Sequence, residues 1–436
     1  MRKFISFHSD DTRLLKKRIH LFAKQFHIQC LLQSNEWPNS QYELVAGFDS
    51  VDTISPFENS FEALKTFSEA KKDWLFGYLS YDLKNESENL KSENFDGLDF
   101  PLMHFFQPRF VFILKKDILE IGFLDSFNLE TDIKIMFDSI CAIQIKDNHP
   151  IEKIILEGRI SKEEYIETVN TLKKYLQRGD IYEMNYCFDF FANHVTINPT
   201  TLFSAINNSS ESPFSSFYQL NNRYLICASP ERFLKKIGNT ILSQPIKGTA
   251  KRGATPTEDA HIKNELLHSR KEQTENIMIV DLVRNDLAKT CSNVTTQELC
   301  GIYSFKNWHQ LISTISGEMK EGMHFTDVIK NAYPMGSMTG APKIRAMELI
   351  EKYEKTKRGL YSGAVGYVTP EGDFDFNVVI RSILYNATTG YLSFHVGSAI
   401  TSHSIAHEEY DECLLKAKGM IEALNIPNSF FKKNYA

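Results

Sequence analysis

Glu272-Gln273-Thr274-Glu275-Asn276-Ile277-Met278-Ile279-Val280-Asp281-Leu282-Val283 is the stretch on which the reading of this 436-residue chain turns. Glu272 and Glu275 stand at i,i+3 and share one helix face. The residues after them are too apolar all round for a surface helix, so this turn is expected to dip into the core. A solvated acidic face is the ordinary meaning of such a pair. Burial changes that, because two like charges about 4 Å apart repel by about 4 kcal/mol at an effective dielectric of 20. Protonation or a divalent ion must then relieve the repulsion, and oxygen ligands with retained waters suit Mg²⁺. A second pair of the same spacing, Glu409 and Glu412, sits on the last helical pattern of the chain.

Upstream, Lys247 lies in Gln244-Pro245-Ile246-Lys247-Gly248-Thr249, where proline, glycine and small residues predict a strand running into a tight turn with free N–H groups for a carboxylate. A lone loop lysine is ordinarily a surface charge. As a nucleophile it needs a neutral amine, which an apolar pocket or nearby Mg²⁺, Lys251 or Arg252 would favour. Glu231, in Ser229-Pro230-Glu231-Arg232-Phe233, ends a strand-like run. Partly desolvated, it could stay protonated as a general acid; the alternative is a simple pair with Arg232.

Downstream, Pro334-Met335-Gly336-Ser337-Met338-Thr339-Gly340-Ala341-Pro342-Lys343 precedes an amphipathic helix and has the form of an anion cradle, without P-loop spacing. Arg381 interrupts an apolar strand pattern, and Gly397-Ser398-Ala399 follows a strand ending at Val396. A forked carboxylate clamp and a backbone nest are the chemistry these offer.

Composition bounds the class. Hydrophobic residues at 42% and charged residues at 24% exclude a disordered or fibrous chain. A net charge of −6 without a Lys/Arg stripe excludes the footprint of a nucleic-acid binder. No apolar run is long enough to span a bilayer, and Met1 to Asp11 has no apolar signal core, so a cytoplasmic address with no membrane partner is expected. The seven scattered cysteines lack zinc-site spacing and read as reduced, mostly buried thiols.

The polar stretch 145–150 is taken as the main boundary, between an N-terminal region, 1–150, that contributes strands to a shared core and a second region, 155–430. Aromatic and β-branched runs at 74–81 and 109–114 predict strands before it. After it, Ser161 with Glu164 opens a helix that Gly179 stops. Strands at 224–228, 363–369 and 392–396 alternate with long helices over 258–289 and 405–424. The expected class is α+β.

Together, Ser229-Pro230-Glu231-Arg232-Phe233, Pro245-Ile246-Lys247-Gly248-Thr249, Glu275-Asn276 through Arg284-Asn285-Asp286-Leu287, Gly340-Ala341-Pro342-Lys343-Ile344-Arg345-Ala346-Met347-Glu348 and Gly363-Ala364-Val365-Gly366-Tyr367 resemble, in order, the chorismate-binding family. That family includes anthranilate synthase component I, aminodeoxychorismate synthase component I, isochorismate synthase and salicylate synthase. The resemblance implies two large, mostly antiparallel sheets packed face to face with flanking helices and a site in the cleft between them. It implies Glu275 and Glu412 as Mg²⁺ ligands, with Glu272 and Glu409 supporting through water. Tyr361 and Arg381 would contact the enolpyruvyl carboxylate, the backbone at Gly248, Thr249, Gly397, Ser398 and Ala399 would touch anionic oxygens, Lys416 joins the substrate-binding set, and Glu231 would protonate the departing C4 hydroxyl.

Lysine at position 247 resembles the aminodeoxychorismate synthases, where it adds at C2 and is displaced by ammonia at C4. The implied product is 4-amino-4-deoxychorismate, on the route to 4-aminobenzoate and folate. The chain has no Gly-x-Cys-x-Gly elbow, so a separate glutamine amidotransferase subunit is the implied ammonia source. The rivals are anthranilate synthase component I, isochorismate synthase, for which Glu183 replaces the water-activating lysine, and a binding protein without turnover. Three positions depart from the aminating pattern: Glu183 for Gln, Gln310 for His, with His309 adjacent, and Ser398 for Gly.

Overall fold

In the computed structural model, the described residues are 1–35, 37, 40–145 and 154–427. Most of the stretch taken as the main boundary, 146–150, lies outside them.

All the long strand pairings are antiparallel, and they follow two paths that diverge from one bent pair. Strand Met103–Lys115 pairs along its length with Leu44–Ile54, whose register shifts between Ser50 and Asp52. On its other edge, Phe110–Lys115 pairs with Ile118–Leu124, while Met103–Phe106 pairs with Leu75–Leu79. From Leu44–Ile54 the first sheet runs through Ile28–Gln33, Phe214–Leu220, Arg223–Ser229, Ser382–Asn386 and Tyr391–Ile400 to Glu183–Ala192. From Leu75–Leu79 the second runs through Ala364–Val368, Phe374–Val378, Arg232–Ile237 and Thr240–Gln244 to Trp308–Met319, which also pairs with Ile246–Lys251 and Cys291–Ser304. The two expected sheets are present and are joined into one hydrogen-bonded network through this shared strand pair.

Side chains alternating across the pleat separate two cores. Cys30, Val45, Tyr218 and Leu225 of the first sheet turn toward the second, and Tyr218 packs edge-on against Tyr78 with ring centroids 5.1 Å apart. The adjacent Leu31, Ala46, Phe217 and Ile226 turn the other way, toward Ile19, Leu172 and Leu414 of helices Thr12–Phe22, Lys162–Arg178 and Ala406–Ala423. The sheets thus lie face to face and the helices cover the outside.

The helix expected over 258–289 is two helices, Pro256–His268 and Arg270–Thr290. Ser269 is extended at φ −67°, ψ 109°, and its hydroxyl accepts the N–H of Glu272. Ser269-x-x-Glu272 is a capping signature inside an otherwise continuous pattern, so the cap breaks the run and re-aims the second helix. Glu275, Asn276, Ile279 and Val280 on that helix are buried while Ile277 is exposed, so the helix buries one face and not the whole apolar run.

Candidate active site

A cavity of about 240 Å³ opens where the far ends of the two sheets part. Cys187, Gly397 and Ala399 line it from the first sheet, Lys247, Gly248, Thr249 and Gln310 from the second, and helices Arg270–Thr290 and Ala406–Ala423 close it with Glu272, Glu275, Glu409, Glu412 and Lys416. Glu231, Tyr361 and Arg381 complete the wall. Residues from positions 187 to 416 thus meet in one space.

Lys247 is 9% exposed, and its Nζ donates to Oε1 of Glu183, which is 0% exposed, at 2.5 Å. Burial works against the ammonium, but the carboxylates of Glu183, Glu275 and Glu231 outweigh it and hold the lysine above its ordinary pKa. Cations were expected to depress it; the structure surrounds it with carboxylates instead, and Arg252 is engaged with Asp259. Where a tight turn was expected, Lys247 sits in strand Ile246–Lys251 at a shift of register between Ile246 and Thr249, and this irregularity needs glycine at 248, where φ is +90° and a Cβ would sit 3.1 Å from the Glu272 Cβ. Asn276 ties this segment and its partner strand to the helix by donating to the Lys247 carbonyl at 3.5 Å and the Leu311 carbonyl at 3.3 Å.

Glu231 does not pair with Arg232, which binds Asp375 at 3.0 Å from the neighbouring strand. Successive residues of a strand end point opposite ways, so Glu231 turns inward and accepts from Ser337 Oγ at 2.5 Å. Burial pushes its carboxyl up to about 7, against the pull of Ser337 and Lys247. A group half-protonated near neutrality can deliver a proton to a leaving oxygen.

The four glutamates differ in how their charge is met. Burial pushes Glu275 up to about 7, and its Oε1 is buried without a hydrogen-bond partner among the described residues. Burial also raises Glu272. Glu412 is lowered, chiefly by Lys416 at 2.6 Å. Glu409 faces Lys271 at 3.6 Å. Among the described residues no three His, Cys, Asp or Glu side chains are gathered as a metal-binding group, and Glu409 and Glu412 are paired with Lys271 and Lys416. The donor set nevertheless fits a hard divalent cation: all four donors are carboxylates, and the buried, unpartnered Glu275 Oε1 is an acceptor that a cation would satisfy.

Arg381 holds a positive φ of +51°, an uncommon backbone state for a non-glycine residue, and its guanidinium lies 5.9 Å from the Trp308 ring centroid. Burial lowers its pKa. Tyr361 stacks on His395 with centroids 4.8 Å apart. Lys416 also donates to the Gly397 carbonyl at 2.8 Å.

Two side-chain placements sharpen the sequence reading. Ser398 does not line the cavity: it alternates with Gly397 and Ala399, and its Oγ meets Tyr165 OH at 2.8 Å on the helix side. His309 does not stand in for the histidine absent at 310. Its ring bonds Asp259 and Ser304 at 2.9 and 2.8 Å on the opposite face of the strand, while Gln310 lines the cavity. Sequence reasoning passed over Ser337, Lys271 and the buried pair Glu354–Arg358, which spans Cys187 N, Asn185 O and Met338 O behind the wall. The i,i+4 spacing of Glu354 and Arg358 was a signal, but it ordinarily marks a surface pair.

The family profile described as chorismate binding enzyme matches residues 22–422. Aminodeoxychorismate synthase component 1 of Bacillus subtilis is 30% identical over 395 residues, covering 87% of this chain and 83% of that protein. Anthranilate synthase component 1 of Thermus thermophilus is 30% identical over 358 residues, covering 80% and 77%. The crystal structure of anthranilate synthase component I from Streptococcus pneumoniae superposes with a TM-score of 0.75 at 25% identity, over 86% of this chain and 91% of that one. The chain belongs to the chorismate-binding family and is a chorismate-utilising enzyme.

Proposed function

We propose that this enzyme converts chorismate to 4-amino-4-deoxychorismate, with Lys247 as nucleophile and ammonia supplied by a separate glutamine amidotransferase. The observation that carries the reading is the Lys247 amine itself, buried in the cavity wall with Glu231 on the same cavity. Arg381 and Tyr361 would hold the enolpyruvyl carboxylate, and the backbone at Gly248, Thr249, Gly397 and Ala399 would meet anionic oxygens. Glu275 and Glu412, with Glu272 and Glu409 behind them, would hold Mg²⁺, which when bound supplies positive charge to the ring carboxylate. Lys271 and Lys416 must release Glu409 and Glu412 for that cation. The neutral Lys247 amine attacks C2, the ring double bonds shift, and the C4 hydroxyl leaves with the proton of Glu231. Ammonia then attacks C4 and the shift reverses, expelling the lysine from C2.

The test is product identification after incubation with chorismate, Mg²⁺ and ammonium. The expected product is 4-amino-4-deoxychorismate. Similarity to anthranilate synthase components makes anthranilate the alternative product, and its predominance would overturn the reading. Product formed equally well without ammonium would instead indicate water as nucleophile.

A further inference from the structure

We infer that Glu183 is the group that takes the proton from Lys247, making the buried ammonium its own nucleophile precursor with no base drawn from solvent. The inference rests on the nucleophile role proposed for Lys247. Glu183 opens strand Glu183–Ala192, and its neighbourhood is fixed on the backbone side: Ala341 is its strand partner, and at Gly340, with φ +150°, a Cβ would fall 2.2 Å from the Glu183 carbonyl oxygen. The side chain has no exposed surface, and the contact at 2.5 Å from Oε1 to Nζ is already along a hydrogen bond. Its other oxygen, Oε2, is buried without a hydrogen-bond partner among the described residues. A carboxylate recruited only to hold a lysine in place is normally saturated on both oxygens. This one keeps spare acceptor capacity.

The carboxylates that act on the Lys247 amine are Glu183 from that strand, Glu231 from the turn before strand Arg232–Ile237, Glu272 and Glu275 from helix Arg270–Thr290 and Glu412 from helix Ala406–Ala423. Glu231 is occupied by Ser337, and Glu183 is the ion-pair partner of Lys247 among the described residues. The proton passes from Nζ to Glu183, leaving a neutral amine and a carboxylic acid. The Nζ pair forms the bond to C2, the π pairs move from C1=C2 and C5=C6 to C1=C6 and C4=C5, and the C4–O bond breaks as the oxygen takes the Glu231 proton and departs as water. When ammonia attacks C4 and the π pairs return, the lysine leaves with its bonding pair as a neutral amine, and Glu183 gives the proton back. The ammonium formed at C4 returns a proton to the Glu231 carboxylate, so both Glu183 and Glu231 end each cycle as they began.

The experiment is intact-protein mass spectrometry of adduct formation with chorismate and Mg²⁺ but no amine, followed in time and across pH. Wild type forms the adduct if Lys247 is the nucleophile; no adduct overturns that reading itself. Glu183→Gln keeps the shape and an acceptor oxygen for Lys247 but takes no proton, so its adduct rate should fall by about 100-fold or more at neutral pH. The ratio of the variant's rate to that of wild type should climb by roughly tenfold per pH unit as hydroxide replaces the missing base, a dependence that a purely structural carboxylate would not produce. Glu183→Asp, which retains the carboxylate, should recover part of the rate, and it supplies the comparison should Glu183→Gln fail to fold. A wild-type adduct matched within about twofold by Glu183→Gln, or an Asp variant no faster than the Gln variant, overturns the inference while the nucleophile role stands.

Discussion

Two buried ion pairs lie on either side of the cavity wall, and they are built differently. Behind it, Arg358 and Glu354 are 1% and 3% exposed; Arg358 reaches both Glu354 oxygens, at 2.9 and 2.6 Å, and the carbonyls of Met338 and Asn185, while Glu354 also accepts from Cys187 N. At the wall, Lys247 meets one oxygen of Glu183 and the other has no partner. A saturated pair repays its desolvation through several hydrogen bonds and fixes packing; an unsaturated pair leaves its proton movable. The difference teaches that burial of a charge is not the mark of chemistry, whereas unspent hydrogen-bonding capacity beside a cavity is.

The sharpest way to break this comparison is Lys247→Met. Turnover should fall by at least about 10⁴-fold, as for loss of a covalent nucleophile, and the mass adduct with chorismate should vanish. Its unfolding midpoint in urea should shift less than that of Arg358→Met. Removal of Arg358 strands Glu354 in the core and should cost about 3–5 kcal/mol of unfolding free energy in the same urea titration. Equal losses of stability in the two variants would make the pairs one kind of thing.

Glu231→Gln tests the acid that works opposite Lys247. It should lower turnover by about 10²–10³-fold. With the wild-type carboxyl near 7, the proton is present below that pH and lost above it, so the wild-type rate should decline on the alkaline side. The variant's residual rate should lack that decline in a pH–rate profile. The smallest effect belongs to Ser398→Ala, which removes the bond to Tyr165 on the helix side. About 1 kcal/mol of stability should go, read by thermal unfolding, with turnover within about twofold.

The sequence was legible where local chemistry and burial agree. Ser161 capping and Gly179 stopping helix Lys162–Arg178 are short-range events, and both ends fall where the residues demand. The apolar run after Glu275 marked a helix that packs on the core, and Glu275 lies on its buried face although Ile277, two residues on, is exposed. Ser269 carried a cap signature too, but apolar spacing on both sides masked it. For Ser398, the strand's alternation was readable while its phase was not: nothing local says whether even or odd residues face the cavity until strand Glu183–Ala192 is paired beside it. His309 and Gln310 pose the same problem one sheet away.

By itself, then, the sequence determined the class of fold, the ordered set of residues that place the chain among chorismate-utilising enzymes, and which side chains have the chemistry to act. Only the tertiary structure decided which of them share a cavity and what charge each one sees. Glu183 and Lys247 are 64 positions apart, and Glu354 and Arg358 are four. Sequence spacing would have called the second pair ordinary and left the first unrelated. Coulomb energy depends on distance in space and on the surrounding dielectric, and both are set when the two sheets close on one another.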